Sequence, residues 1–167
     1  MIIKELFKNV VVIDECLPIY QIREIYQQVT QLSYRREKDD PILSNQFVGL
    51  TCELPLDHFI VNLIGHIVKQ YTCGLNLYRS YVNIFLENEK PFFHVDDFTE
   101  QSKTVLFYPN LVPDDIQNNG ETTFLIDNFL FSVPHRVGRM VIFPGCYYHK
   151  ANSFRSGDRY SIALKYV

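Results

Sequence analysis

The sequence predicts a mainly β chain of the α+β class, with two helices ahead of a β core shaped as a sandwich or jelly roll. Three observations lead there. Aromatic residues are abundant, 13 Phe and 11 Tyr without a Trp, and these types suit the half-buried surface of a sheet. From Leu77 onward short β-rich runs recur at 77–86, 104–108, 122–126, 129–133, 139–143 and 159–167, separated by Gly, Pro and Asn. Before Leu77 the apolar spacing is mostly helical. The length of 167 residues, 47% of them apolar and 21% charged, suits one globular domain with a sizeable core. The expected division is a strand with supporting helices over 1–76 and the β core over 77–167.

The elements follow in order. Val10-Val-Val-Ile-Asp14 is a β-branched run and reads as a first strand. Pro18 opens a stretch with apolar residues at Ile19, Ile22, Ile25, Tyr26, Val29 and Leu32, the spacing of an amphipathic helix. The charged cluster at 35–40, closed by Pro41, ends it. Residues 39–55 read as irregular. A second helix is expected from about Leu56 to Tyr71, with Gly74 placed to terminate it.

Composition narrows the function. The net charge is -3 and Lys and Arg form no run, so a phosphate backbone is a disfavoured partner. Cys16, Cys52, Cys73 and Cys146 lack Cys-x-x-Cys spacing and read as free thiols of a reducing compartment. Lys4, Glu5 and Lys8 interrupt any apolar leader, and no apolar run reaches the ~20 residues that span a bilayer. A soluble, cytoplasmic protein is the expectation.

Chemistry concentrates in Pro91-Phe92-Phe93-His94-Val95-Asp96-Asp97. Residues i and i+2 of a strand face one side, so His94 and Asp96 can reach one ion. His149 is placed to add a third ligand. Two imidazoles and a carboxylate on one face of an octahedron suit a non-haem iron(II) oxygenase. His-x-Asp alone is a weak pattern, and its bland reading is a surface histidine beside solvated acids. The context adds weight, because Arg159-Tyr160-Ser161 opens an otherwise apolar terminal run. A buried guanidinium needs an anion, and its planar fork fits a carboxylate.

His94-Val95-Asp96, His149 and Arg159-Tyr160-Ser161 together resemble the 2-oxoglutarate oxygenase superfamily, closest to its prolyl-4-hydroxylase-like branch. Tyr108-Pro109-Asn110, Asn119-Gly120-Glu121-Thr122-Thr123-Phe124 and Pro134 with Gly138–Phe143 resemble further motifs of that branch, in the same order. The resemblance implies a distorted double-stranded β-helix (jelly roll) over 77–167. It implies Fe(II) on His94, Asp96 and His149, and 2-oxoglutarate held by Arg159 with Tyr108, Ser161 and Asn83. O2 is then the second cosubstrate, ascorbate a reductant, and hydroxylation of an aliphatic C–H bond the reaction. A peptide or protein substrate, with peptidyl proline leading, or a small molecule is implied.

Three departures stand out. Phe85 replaces a Tyr common nine residues before the first ligand, Asn119 replaces the first Gly of a Gly-Gly pair, and Pro109 interrupts Tyr-x-Asn in an uncommon way. Asp96 is retained, which favours hydroxylation over halogenation. Base-demethylating members carry a second Arg where this chain has Lys165. The rival readings are a non-catalytic jelly-roll binding protein and a cupin-type metalloenzyme indifferent to 2-oxoglutarate.

Other residues receive plainer readings. His58 and His66 read as ordinary helix histidines, and His135 as a turn residue with a small chance of touching substrate. Asp97 should face away from Asp96, while Tyr147 and Tyr148 should pack and Cys146 should be an inert thiol. Loops 39–51 and 111–120 are the expected pocket rims, their Asp39-Asp40 and Asp114-Asp115 pairs favouring a neutral or basic substrate.

Overall fold

A computed structural model describes residues 1–36, 48–89, 91–111 and 119–167. The expected acid pairs at 39–40 and 114–115 lie outside the described residues. Among the described residues, ten strands and two α-helices occur in the order β1 (Ile2–Phe7), β2 (Val10–Asp14), α1 (Ile19–Val29), β3 (Leu50–Glu53), α2 (Phe59–Val68), β4 (Leu77–Phe85), β5 (Lys103–Phe107), β6 (Thr122–Ile126), β7 (Phe129–Val133), β8 (Met140–Pro144), β9 (Tyr148–Ala151) and β10 (Arg159–Tyr166). The major sheet runs β1-β2-β8-β5-β10-β4-β3 and the minor sheet β7-β6-β9, both antiparallel. Two facing antiparallel sheets with helices outside are consistent with a jelly roll.

The architecture differs from the expectation in its first half. Both helices lie before Leu77 and β2 is the expected first strand, but two further strands, β1 and β3, also join the major sheet. β1 escapes a periodicity reading because all its residues but Phe7 are exposed, so no inward-outward alternation marks it. β3 falls in the stretch read as irregular, and β9 is a further short strand, only four residues long, which carries His149.

Alternation along the strands builds two cores from one sheet. Val82, Val105, Phe107, Met140, Ile142, Ile162 and Leu164 turn toward the helices and meet Ile22, Ile25, Val29, Ile60, Ile64 and Val68. Tyr81, Leu106, Tyr108, Val141, Phe143 and Ala163 turn the other way, toward Phe124, Ile126 and Val133 of the minor sheet. A sheet covered on both faces explains the nearly continuous apolar runs of β5 and β8. Each fully buried Val, Leu, Ile or Phe contributes roughly 1.5–3 kcal/mol. The β6–β7 hairpin closes at Asp127-Asn128, both with positive φ, as a two-residue primed turn requires. No described helix is long and apolar enough to cross a membrane. All four cysteines are unpaired.

A buried ion pair ties the end of β2 to the start of its neighbour β8 in the major sheet. Arg139 donates from Nε and Nη2 to the two oxygens of Asp14 at 2.7 and 2.8 Å, and from Nη1 to the Pro134 carbonyl. Burial pushes the Asp14 carboxyl up, but Arg139, Arg136 and Lys4 outweigh it and hold the group below its ordinary range. Arg139→Met leaves Asp14 buried without its forked partner and should destabilise the fold by on the order of 3 kcal/mol. The double variant with Asp14→Asn should recover much of that loss in urea denaturation. Equal losses in single and double variants would show that the pair is not coupled.

Candidate metal centre

The segment before β5 is pinned to the minor sheet by backbone bonds. His94 and His149 exchange both amide-to-carbonyl bonds, each 2.9 Å, in an antiparallel bridge. The amides of Asp96 and Asp97 both donate to the Gly145 carbonyl at 2.9 and 3.2 Å. Gly145 permits this approach, since a Cβ there would lie 2.5 Å from Ser102 Oγ. The pairing places the two imidazoles 4.5 Å apart, centroid to centroid.

Asp96 sits between the rings. Its Oδ1 is 3.6 Å from His94 Nε2 and its Oδ2 is 3.5 Å from His149 Nε2. One ligand atom from each of the three side chains lies within 4.8 Å of the others, a spacing that could hold a metal ion. The imidazole Nδ1 atoms face the carbonyls of Phe92 (3.3 Å) and Tyr147 (2.9 Å). Donation by Nδ1–H leaves each Nε2 lone pair turned to the centre, the usual support for a metal-binding histidine.

The electrostatics suit a cation. Burial would raise Asp96, but Lys165, His149 and His94 outweigh it and hold the carboxyl well below its usual range. Burial depresses His149 to about 4, so its ring is neutral at physiological pH. His94 is also pushed down by burial, yet its bond and charge interaction with Asp96 win and raise it. Its side chain is 39% exposed, against 5% for His149, so the centre opens to solvent on the His94 side.

Arg159 opens β10 on the face turned toward the minor sheet. Its Nε donates to the Gly120 carbonyl at 2.8 Å and its Nη2 to Thr122 Oγ1 at 3.2 Å. The guanidinium is fully buried, lies over the rings of Tyr108 and Phe85, and leaves Nη1 without a partner. Burial lowers its pKa, opposed by Tyr108. Thr122 and Phe124 share the inner face of β6, and Phe124 is paired with His149. Thr122, which Arg159 touches, therefore lies one inward step, roughly 7 Å along β6, from the residue paired with His149. Ser161 and Ala163, both small, alternate between Arg159 and Lys165 on that face and leave room.

The remaining expected residues are placed as follows. Tyr108 Oη bonds Thr122 Oγ1 at 2.6 Å beside Arg159. Ser161 and Asn83 are register partners on β10 and β4, and Asn83 Oδ1 accepts from Thr51 Oγ1 at 3.0 Å. Phe85, which departs from the family pattern, lies under the guanidinium as an apolar floor. Asn119 and Gly120 both take positive φ, a conformation Asn tolerates better than most residues, so Asn119 can replace a Gly. Asn110, past Pro109, accepts from the Tyr160 amide at 2.7 Å and donates to the Asp158 carbonyl, stapling the start of β10. Asp97 turns away to bond the amide and hydroxyl of Thr99. His58 caps α2 through Nδ1, and His66 is exposed. Tyr147 bonds the Lys8 carbonyl and Tyr148 stacks on Phe93, both outside the centre. Cys146 is half-buried.

Sequence reasoning missed Lys165 as a site residue. It is buried on the inner face of β10, with Nζ against Asp96 Oδ2. A lysine at an inward position of a strand that is otherwise apolar was the available signal.

Two concavities lie nearby. A small one of about 60 Å³ opens beside His94 and is lined by Thr51, Arg79, Tyr81, Asn83 and Phe92. A larger cleft of about 640 Å³ lies on the outer face of the minor sheet, against Thr123, Ser132 and Lys150, whose neighbours Phe124 and His149 point inward. Of the two, the smaller opening is the one that the triad borders, through His94.

No family model and no curated protein matches the sequence. Solved structures do. A prolyl-4-hydroxylase from Pseudomonas putida superposes with a TM-score of 0.75 at 11% identity, over 96% of this chain and 93% of that one. A prolyl hydroxylase from Trichoplax adhaerens, in complex with a hypoxia inducible factor peptide fragment, gives 0.72 at 14%, over 96% and 84%. HygX from Streptomyces hygroscopicus, with nickel and 2-oxoglutarate bound, gives 0.70 at 12%, over 94% and 82%. The fold is that of the 2OG-Fe(II) oxygenases. At such identities the likeness concerns the fold, and the chemistry is argued from the residues above.

His135 packs beside the Arg159 end, stacked on Tyr108 and edge-on to Phe154, with Nε2 unpartnered. Burial, with Arg159 and Arg139 adding repulsion, depresses it to about 3. Between that value and the ~6.5 of an unfolded histidine, only the unfolded chain takes the proton, so stability is lost as pH falls through this window. His135→Phe removes that loss. The difference in unfolding free energy, variant minus wild type, should move in the variant's favour by on the order of 2 kcal/mol between pH 7 and pH 4.5. His149 titrates in both proteins and cancels. A difference unchanged with pH would show that His135 is not held neutral.

Proposed function

We propose that this chain is an Fe(II)- and 2-oxoglutarate-dependent dioxygenase that hydroxylates an aliphatic C–H bond, with peptidyl proline the leading substrate. One observation carries the reading: a fully buried arginine with an unpartnered Nη1 touches Thr122, one sheet step from the residue paired with His149 of a His-Asp-His triad. An orphaned guanidinium donor in a dry cavity is a binding site for an anion. A small dicarboxylate would satisfy both ends, with one carboxylate on Arg159 and the other end toward a metal that His94, Asp96 and His149 would hold.

His94, Asp96 and His149 are the ligands in this reading, and both imidazoles already offer Nε2. Arg159 takes the distal carboxylate, and Tyr108 with Thr122 supplies hydroxyls beside it. Ser161 and Asn83 line the wall between. When bound, iron(II) supplies the oxidative decarboxylation of 2-oxoglutarate with O2, giving succinate and CO2 alongside the hydroxylated substrate. The chain's own part is to orient and to exclude water. Phe85, Phe124 and Phe143 dry the cavity, and the Nδ1-to-carbonyl bonds hold the rings still. Asp96 fills the position that a halide would need, which supports hydroxylation over halogenation. A peptide substrate is supported by the opening beside His94 and by the peptide-bound relative of the same fold.

Anaerobic titration with Fe(II) and 2-oxoglutarate should produce a visible metal-to-ligand charge-transfer band. The band should vanish in His94→Ala. Arg159→Ala should keep Fe(II) and weaken 2-oxoglutarate binding roughly 100-fold. Unchanged cosubstrate affinity in that variant would instead favour a metalloenzyme indifferent to 2-oxoglutarate.

A further inference from the structure

We propose that Lys165 is a built-in countercharge of the metal centre, which ties up one oxygen of Asp96 and biases bound iron toward the ferrous state. The inference rests on reading the triad as an iron site. Along β10 the residues Ile162, Leu164 and Tyr166 face the helices, so Arg159, Ser161, Ala163 and Lys165 face the cavity. Lys165 thus projects a buried ammonium into the space where the triad converges.

The contacts divide the work of the carboxylate. Thr104 donates to Asp96 Oδ2 at 2.6 Å, Lys165 donates to Thr104 Oγ1 at 3.2 Å, and Lys165 Nζ contacts the same Oδ2 directly. Oδ2 is therefore already claimed by two donors, while Oδ1 faces His94 Nε2. A metal seated among the three side chains finds Asp96 as a one-oxygen ligand with fixed orientation. The Tyr81 ring lies 5.6 Å from Nζ, and the Lys165 side chain is buried.

A fixed positive charge beside a metal penalises the trivalent ion more than the divalent one, and burial strengthens the effect. Oxidation moves one electron from Fe(II) to an external acceptor and adds one charge to the site. Lys165 opposes that step without exchanging a proton. A merely structural lysine, neutralising Asp96 for the sake of folding, would affect both oxidation states alike.

The test is the midpoint potential of protein-bound iron, measured by mediated spectroelectrochemical titration without cosubstrate. It compares wild type with Lys165→Met, Lys165→Gln and Lys165→Arg. Both neutral variants should shift the ratio of Fe(III) to Fe(II) affinity toward Fe(III) by tenfold or more, which lowers the potential by about 59 mV or more for a one-electron couple. Lys165→Arg should stay near wild type. Lys165→Gln keeps a hydrogen bond to the carboxylate and carries the test if the Met variant misfolds by circular dichroism. Neutral variants that lose affinity for both ions equally, with an unmoved potential, overturn the proposal and leave the iron reading intact. Wild-type protein that binds no iron overturns both.

Discussion

Strand β10 is bonded on both sides, to β4 and to β5, and the two buried cations of the candidate centre, Arg159 and Lys165, depend on that placement. A central strand cannot slip by one residue without turning its apolar set out of the helix-facing core. The same restriction holds its opposite face, so Arg159 and Lys165 are fixed at two ends of that face by the burial of Ile162, Leu164 and Tyr166. Helix packing and site geometry are two faces of one register.

The minor sheet supplies the rest through backbone rather than side-chain packing. The His94–His149 bridge adds the segment before β5 to the edge of β9, and the Gly145 carbonyl gathers the amides of Asp96 and Asp97. The ligands are thus set by backbone hydrogen bonds that ask little of side chains beyond the glycine at 145, while ring identity at 94 and 149 and the carboxylate at 96 supply the chemistry. This explains how a fold can persist at 11–14% identity to its solved relatives.

Much of this was legible in the sequence for a definite reason. His94 and Asp96 are two apart, Arg159 interrupts an apolar strand, and the β runs after Leu77 carry their own turn residues, so local patterns suffice. What was not legible depends on distance or on exposure. Asp14 and Arg139 are 125 residues apart, and neither announces the other. β1 is exposed and β9 is short, so neither shows periodicity. Lys165 was noted only as a missing arginine, because its partner Asp96 lies on a segment that only the folded chain brings near. Asn119 looked like a departure until its positive φ showed that the backbone, and not the side chain, is what that position demands.

The unequal exposure of the two histidines has a kinetic side. A metal held by both rings has a buried ligand, His149, walled by Phe124 and Phe143, and a ligand at the surface, His94. Entry and exit must therefore pass His94, with His149 and Asp96 as the rear wall. The centre works as a one-ended berth. On the proposed reading, chelators and competing cations would meet the ion from the same side as substrate, and an occupant covering the opening beside His94 would slow metal loss as well as shield the reaction.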